Sequence, residues 1–184
     1  MIPLSIVGVE DGGFVAFKPC QSTLLCAVLM VGDRIEVVRL GKITVDGLDS
    51  TNILLEMLVK INCDGIILGG ISFAGFNIVD PQRVNNELGV PIIVYSGKRP
   101  NSISMLVALK AHFIDWEERC SPITRLGEVY NLVTKAGFPP IFFEVVGESK
   151  EWAINILKES ALLTRAPEPV RVAGIVVRGL TRSA

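Results

Sequence analysis

Thr23-Leu24-Leu25-Cys26-Ala27-Val28-Leu29-Met30-Val31-Gly32-Asp33-Arg34-Ile35-Glu36-Val37-Val38-Arg39-Leu40-Gly41-Lys42-Ile43-Thr44-Val45 decides the fold. Thr23 to Met30 is rich in branched and apolar residues and reads as a strand. Val31-Gly32-Asp33-Arg34 carries turn residues. Ile35 to Val45 is a second strand, in which Ile35 and Val37 partly alternate with the polar Glu36 and Arg39. Upstream, Ile2 to Val9 is a third apolar run, broken by Asp11-Gly12-Gly13. Three consecutive strands without an intervening helix predict an antiparallel meander.

Downstream the period changes. Asp49-Ser50-Thr51 is an N-cap cluster ahead of Ile53, Leu54, Met57, Leu58 and Ile61, which recur at helical spacing. Gly65 to Leu68 is a short strand. Asp80-Pro81 opens a helix that stops at Gly89. Val90 to Tyr95 is a strand, and Pro100-Asn101-Ser102 leads into a helix reaching about Phe113. This strand–helix alternation predicts parallel strands with right-handed crossovers. A helix over Ile123 to Ala136, a strand over Ile141 to Val146, a helix over Lys150 to Thr164 and a last helix over Pro167 to Leu180 complete the reading. Three meander strands followed by αβαβα, helices on both faces of a mixed sheet, is the element order of the ribonuclease H-like α/β fold. A flavodoxin-like fold does not start with three uninterrupted strands.

The chain has 184 residues, which suits one domain spanning 1–184. Hydrophobic residues make up 49% and charged residues 20%, a balance that excludes intrinsic disorder. The formal net charge of −1 excludes a global basic field but not a local patch. Leu24 to Val31, the longest apolar run, is far short of the roughly 20 residues that cross a bilayer, so no membrane partner is expected. The start of the chain lacks a secretory signal, and the expected location is cytoplasmic. Cys20, Cys26, Cys63 and Cys120 show no metal-ligand spacing and read as reduced thiols. With His112 the only histidine, a Ser-His-Asp triad and a His/Cys zinc site are both disfavoured.

Three groups of residues could carry chemistry. Glu10 and Asp11 end the first strand, and Asp46 and Asp49 lie between the third strand and the first helix, so the fold could bring all four to one sheet edge. Clustered carboxylates recruit hard cations such as Mg²⁺ or Mn²⁺. The plainer reading is a turn at Asp46-Gly47, an N-cap at Asp49 and a solvated turn at Glu10-Asp11-Gly12. Gly69-Gly70-Ile71-Ser72-Phe73-Ala74-Gly75-Phe76-Asn77 follows a strand and is either a ligand-approaching loop or a tightly packed one. Lys98 and Arg99 end a strand, and Arg171, Arg178 and Arg182 fall on one helical face. These can meet phosphates or simply form a solvated surface.

Taken together, Glu10-Asp11-Gly12, the run from Val45 to Thr51, Ile71 to Asn77 and the run from Pro167 to Ala173 resemble an archaeal family related to endonuclease V, called endonuclease dU. The resemblance covers nearly the whole chain, and Phe-Ala-Gly-Phe-Asn and Pro-Glu-Pro-x-Arg are its most specific parts. It places the catalytic acid of the first strand at Glu10, an acid ahead of the first helix near Asp49, a lysine at Lys98 and the Pro-Glu-Pro-x-Arg segment at Pro167 to Arg171. Two further acid or metal-proximal positions of the wider endonuclease V pattern fall at Gly69 and Gly174. The implied cation, Mg²⁺ or Mn²⁺, then rests on Glu10, Asp11, Asp46 and Asp49, with Asp80 nearby. The resemblance implies a metal-dependent endonuclease for damaged or deaminated, uracil-containing DNA, or for RNA. Glu10, Asp11 and Asp49 would be catalytic, and Gly70, Ser72, Asn77, Lys98, Arg99, Arg171 and Arg178 would contact the nucleic acid. The alternatives are a nucleic-acid-binding protein that has lost catalysis and a non-enzymatic assembly partner. An exposed apolar face would also permit a homodimer.

Overall fold

The computed structural model describes residues 3–15 and 21–181. Strands β1 (Ser5–Asp11), β2 (Ser22–Val31) and β3 (Arg34–Thr44) form the expected antiparallel meander. Gly32, at φ +61°, takes the left-handed conformation that the two-residue β2–β3 turn requires.

Helix α1 (Ser50–Leu58) leads to β4 (Gly65–Leu68), whose residues are all buried. A short ribbon of β5 (Ser72–Phe73) and β6 (Asn77–Ile78) follows. Helix α2 (Pro81–Leu88) is capped by Asp80, which accepts from the Arg83 amide at 3.2 Å, and ends at Gly89. Strand β7 (Ile92–Ser96) and helix α3 (Ser102–His112), capped by Asn101, lie close to their expected positions. Helix α4 (Trp116–Thr124), strands β8 (Tyr130–Leu132) and β9 (Ile141–Val146), and helices α5 (Lys150–Ser160) and α6 (Glu168–Thr181) complete the chain.

The seven-stranded sheet runs β3-β2-β1-β4-β7-β9-β8. Strands β1, β4 and β7 are parallel, as the alternating pattern predicts. Strand β9 is antiparallel to β7, because α3, α4 and β8 return the chain to the end at which β7 stops.

One face of the sheet packs Val7, Val9, Ile66, Leu68, Ile92 and Val94 against Leu54 and Leu58 of α1 and Val84 of α2. On the other face Ile67, Ile93 and Phe143 meet Ala153 and Leu157 of α5, while Cys26, Val28 and Met30 meet Ala173 and Val177 of α6. Gly8 lets α6 lie directly on β1, since a Cβ there would overlap the backbone of Pro169 and Val170.

The helix expected over Ile123 to Ala136 is corrected. The helix lies earlier, and Tyr130–Leu132 pairs with β9, with the Tyr130 ring 5.5 Å from that of Phe143. Strand pairing and aromatic packing override the helical spacing of isolated apolar residues there. The helix expected to reach Thr164 ends at Ser160, where the Lys135 ammonium and the Leu162 amide meet carbonyls of the following turn and helix end. Among the described residues no helix is long and apolar enough to cross a membrane. Cys26, Cys63 and Cys120 are free thiols, and Cys20 lies outside the described residues.

Candidate active site at the ends of the parallel strands

The three parallel strands finish at one edge of the sheet, where ligands of open α/β sheets bind. Strand β1 delivers Glu10 and Asp11, β4 runs into Gly69 and Gly70, and β7 runs into Lys98 and Arg99. The Glu10 carboxylate lies against Gly69, and a Cβ at position 69 would overlap it. A side chain at that position would require the Glu10 carboxylate to move.

Burial, and then repulsion from Asp11, push Glu10 up to about 7, against the opposing pull of the Asp11 amide and Arg178. Burial also raises Asp11, opposed by the Ala74 amide and Arg178. Neither carboxylate forms an ion pair among the described residues. The result is a pair of adjacent acids whose negative charge is only partly offset.

The Phe73–Asn77 segment holds three of the four candidate carboxylates by hydrogen bonds. The Ala74 amide donates to Asp11 Oδ2 at 2.5 Å, and the Phe76 amide donates to Asp46 Oδ1 at 2.9 Å. Asn77 Nδ2 donates to Asp49 Oδ1 at 2.5 Å and to the Thr44 carbonyl at 2.9 Å, while Asn77 Oδ1 accepts from the Ser50 amide. This geometry needs Ala74 at φ +45° and Gly75 at φ +86°, and a Cβ on Gly75 would strike the Asp46 carboxylate. Ala74 thus carries the left-handed strain of a non-glycine residue at the site.

Asp49 holds the N-cap position of α1, but its side chain makes no cap bond. It accepts instead from Thr44 Oγ1 at 2.7 Å and from the Thr44 amide. Burial alone would raise the pKa of Asp49, but the hydrogen bonds from Thr44 and Asn77 outweigh burial and hold it below the usual carboxylate value.

Arg119 of α4 joins this assembly by hydrogen bonds. Its Nη1 donates to the Gly47 and Phe76 carbonyls, both at 2.8 Å, its Nε donates to Asp115, and its guanidinium stacks over Phe113. It is buried and ties the Asp46-Gly47 turn to the Phe76 loop. Sequence reasoning missed it because α4 itself was misplaced. The available signal was Asp115 followed by Glu117 and Glu118, an acidic helix start.

The basic residues are distributed unequally. Lys98 and Arg99 are exposed beside the acidic edge. Arg178 is exposed, folds over Gly174 and acts electrostatically on both Glu10 and Asp11. Arg171 gives both prongs of its guanidinium to Glu168, at 2.8 and 2.5 Å. Arg182 lies outside the described residues. Asn77 is fully buried, whereas Gly70 and Ser72 border a cavity of about 560 Å³ between the sheet, α3 and α4.

The fit of a divalent cation rests on these contacts. No three His, Cys, Asp or Glu residues among those described are gathered as one metal set. Asp46 and Asp49 are engaged by the loop and by Thr44. Glu10 and Asp11, the latter with Oδ2 taken by the Ala74 amide, are the adjacent pair that would suit one Mg²⁺-like ion, which is commonly held by one or two carboxylates together with water and substrate phosphate.

Comparison with known proteins agrees with this architecture. A family model described as Endonuclease dU matches residues 3–181. A UPF0215 protein of Pyrococcus furiosus is 32% identical over 184 residues, covering 97% of this chain and 93% of its own. The chain belongs to the Endonuclease dU family. Another UPF0215 protein similar to this Endonuclease dU chain, from Methanopyrus kandleri, is 32% identical and covers 97% of this chain and 92% of its own. Among solved structures, an Archaeoglobus fulgidus protein of unknown function superposes with a TM-score of 0.86 at 24% identity, covering 98% of this chain and 99% of its own. Human endonuclease V superposes with a TM-score of 0.65 at 13% identity, covering 98% and 85%. Endonuclease V of Ciona intestinalis, in complex with a 24-mer DNA containing an inosine followed by a ribo-adenosine, superposes with a TM-score of 0.60 at 14% identity, covering 98% and 87%. This Endonuclease dU member therefore has the endonuclease V fold, the ribonuclease H-like mixed α/β arrangement expected from its strand order.

Proposed function

We propose that the protein is a divalent-metal-dependent endonuclease acting on deaminated, uracil-containing DNA or on RNA. The observation that carries this reading is the half-buried Glu10–Asp11 pair, without a direct ion pair, at the ends of the parallel strands, with Arg178 acting on both carboxylates and Lys98 and Arg99 following the end of β7. Glu10 and Asp11 would hold one Mg²⁺ or Mn²⁺, which when bound would neutralise phosphate charge and acidify water. Arg178 and Lys98 hold the phosphodiester, Arg178 as a two-pronged donor. Ala74 fixes the rotamer of Asp11, and Asp46 and Asp49 keep the loop in register. The water oxygen would bond to phosphorus as the bridging P–O bond breaks, the water giving up a proton to solvent and the departing oxygen taking one up, so that one terminus keeps the phosphate and the other ends in a hydroxyl, without a covalent enzyme intermediate. The loop that starts at Gly70 borders the cavity in which the altered base sits.

The test is a substrate panel. Single and double strands carrying uracil, inosine or a mismatch, together with RNA, are incubated with Mg²⁺ or Mn²⁺, and the products are resolved by length. Cleavage at a fixed position relative to the altered nucleotide supports the reading. Tight binding without cleavage of any member favours the second reading, a binding protein without catalysis, whose supporting observation is the Arg178 guanidinium over Gly174.

A further inference from the structure

Glu144 is the residue in the molecule whose placement the proposed chemistry leaves unexplained. It sits on β9 opposite Val94, in a strand otherwise composed of Ile141, Phe142, Phe143, Val145 and Val146. It is 6% exposed, and its Oε2 is the one buried side-chain oxygen or nitrogen among the described residues that lacks a hydrogen-bond partner. A buried polar atom without a partner costs free energy, so each such case calls for an explanation.

Glu144 lines the cavity of about 560 Å³ under α3 and α4. The rest of the wall is mainly apolar, including Ile71, Val94, Met105, Leu106, Ile123 and Leu126, and no other charged residue lines it. Gly70 and Ser72 form the side nearest the Glu10 carboxylate, which lies against the neighbouring Gly69. The cavity is thus a mainly apolar chamber with one charged residue in its wall, joined by polar side chains such as Ser96, Asn101 and Thr124, and it shares Gly70 and Ser72 with the loop beside the candidate active site. That combination suits a flat, uncharged ligand with a polar edge.

We infer that Glu144 reads the nucleobase, its carboxyl pairing with the adjacent donor and acceptor on the edge of a single uracil-like base turned out of the strand into this cavity. The inference rests on the nuclease reading above and names the residue that would give it specificity. Burial favours the uncharged form of the side chain and raises Glu144 to about 7. The other titratable groups on the cavity wall are the Cys120 thiol of α4 and Tyr95 of β7. On α2, which also packs on β9, Arg83 and Glu87 pair with each other at the surface. Tyr130 of β8 packs on Phe143.

An uncharged carboxyl presents one O–H donor and one carbonyl acceptor side by side. Uracil presents a carbonyl and an N–H side by side, so the two edges make a matched pair of hydrogen bonds. The ionised carboxylate has only acceptors and loses one of them. A glutamine keeps one donor and one acceptor at every pH.

The experiment uses two labelled single strands in EDTA, one with a central deoxyuridine and one with an abasic tetrahydrofuran residue in its place. Their affinities for wild type, E144Q and E144L are measured at pH 6 and pH 8, and folding is checked by thermal melting. Leucine suits the apolar wall, so E144L is expected to fold. The wild type should prefer the uracil strand at pH 6 and lose about tenfold of that preference by pH 8, the change in the protonated fraction of a group titrating near 7. E144Q should keep the preference at both pH values, and E144L should lack it at both. Equal binding of the two strands by wild type, or a preference that E144L retains, overturns the role of Glu144 while leaving backbone binding intact. Failure to bind either strand removes the nucleic-acid reading as well.

Discussion

Arg171 shows how one residue's role depends on its partner. The Pro-Glu-Pro-x-Arg segment puts an arginine near the start of α6, and sequence alone leaves that arginine equally suited to phosphate or to a neighbouring acid. The structure closes its guanidinium on Glu168, a residue 5% exposed. Replacing Arg171 by Met therefore strands a buried carboxylate. The expected loss of stability lies at the lower end of the roughly 3–5 kcal/mol typical of a broken buried pair, because Arg171 is partly exposed. Urea unfolding measures that loss, and binding of a labelled strand by the same variant should stay close to wild type. Arg178 was legible as a basic residue of the same helix, but its action on Glu10 and Asp11 depends on α6 lying directly over Gly8, which no local pattern reveals. Glu144 left a clearer trace, as the single charged residue in an apolar strand.

At the scale of elements, the meander, the parallel strands and the capped helices α2 and α3 were legible because period, caps and turn residues agree with one another there. Helix α4 was not, because Pro122 lies inside it and its sequence is polar, with contacts made through Arg119. The Phe73–Asn77 loop was visible as a glycine-bearing segment after a strand. Its work of holding Asp11, Asp46 and Asp49 depends on backbone amides, which carry no sequence signature. Arg119 links that loop to the Asp46-Gly47 turn, and a lysine cannot serve two carbonyls and Asp115 at once. R119K should cost about 2 kcal/mol in urea unfolding. Hydrogen exchange of the Ala74 and Phe76 amides should rise in R119K more than exchange in β1 or β4. Equal protection of both amides in the variant and wild type contradicts the clamp.

Over the whole molecule, the partly or fully desolvated acids set a pH profile of stability. Glu144 and Glu10 bind protons more tightly folded than unfolded, so between about pH 4.5 and 7 the native state keeps protons that the unfolded chain releases, and stability falls as pH rises. Glu144 alone accounts for roughly 3 kcal/mol of that fall. Asp49 has the opposite sign. Its hydrogen bonds stabilise the fold fully above its unfolded value near 3.8, and that contribution is lost as pH falls through its lower folded value. Stability should therefore peak near pH 4–5, and E144Q should flatten the fall on the neutral side, as read from urea midpoints across pH 3–8. In the proposed reaction Glu10 and Asp11 are the cation-holding pair and Asp49 is a positioning residue. The most direct test is the single-turnover cleavage rate of a uracil-containing strand with Mn²⁺, compared among wild type, E10Q, D11N and D49N. Cleavage by wild type is expected, with a loss of at least about a hundredfold in folded E10Q and D11N and a much smaller loss in D49N. Wild-type rates in E10Q and D11N, or cleavage that persists without a divalent cation, would contradict that assignment.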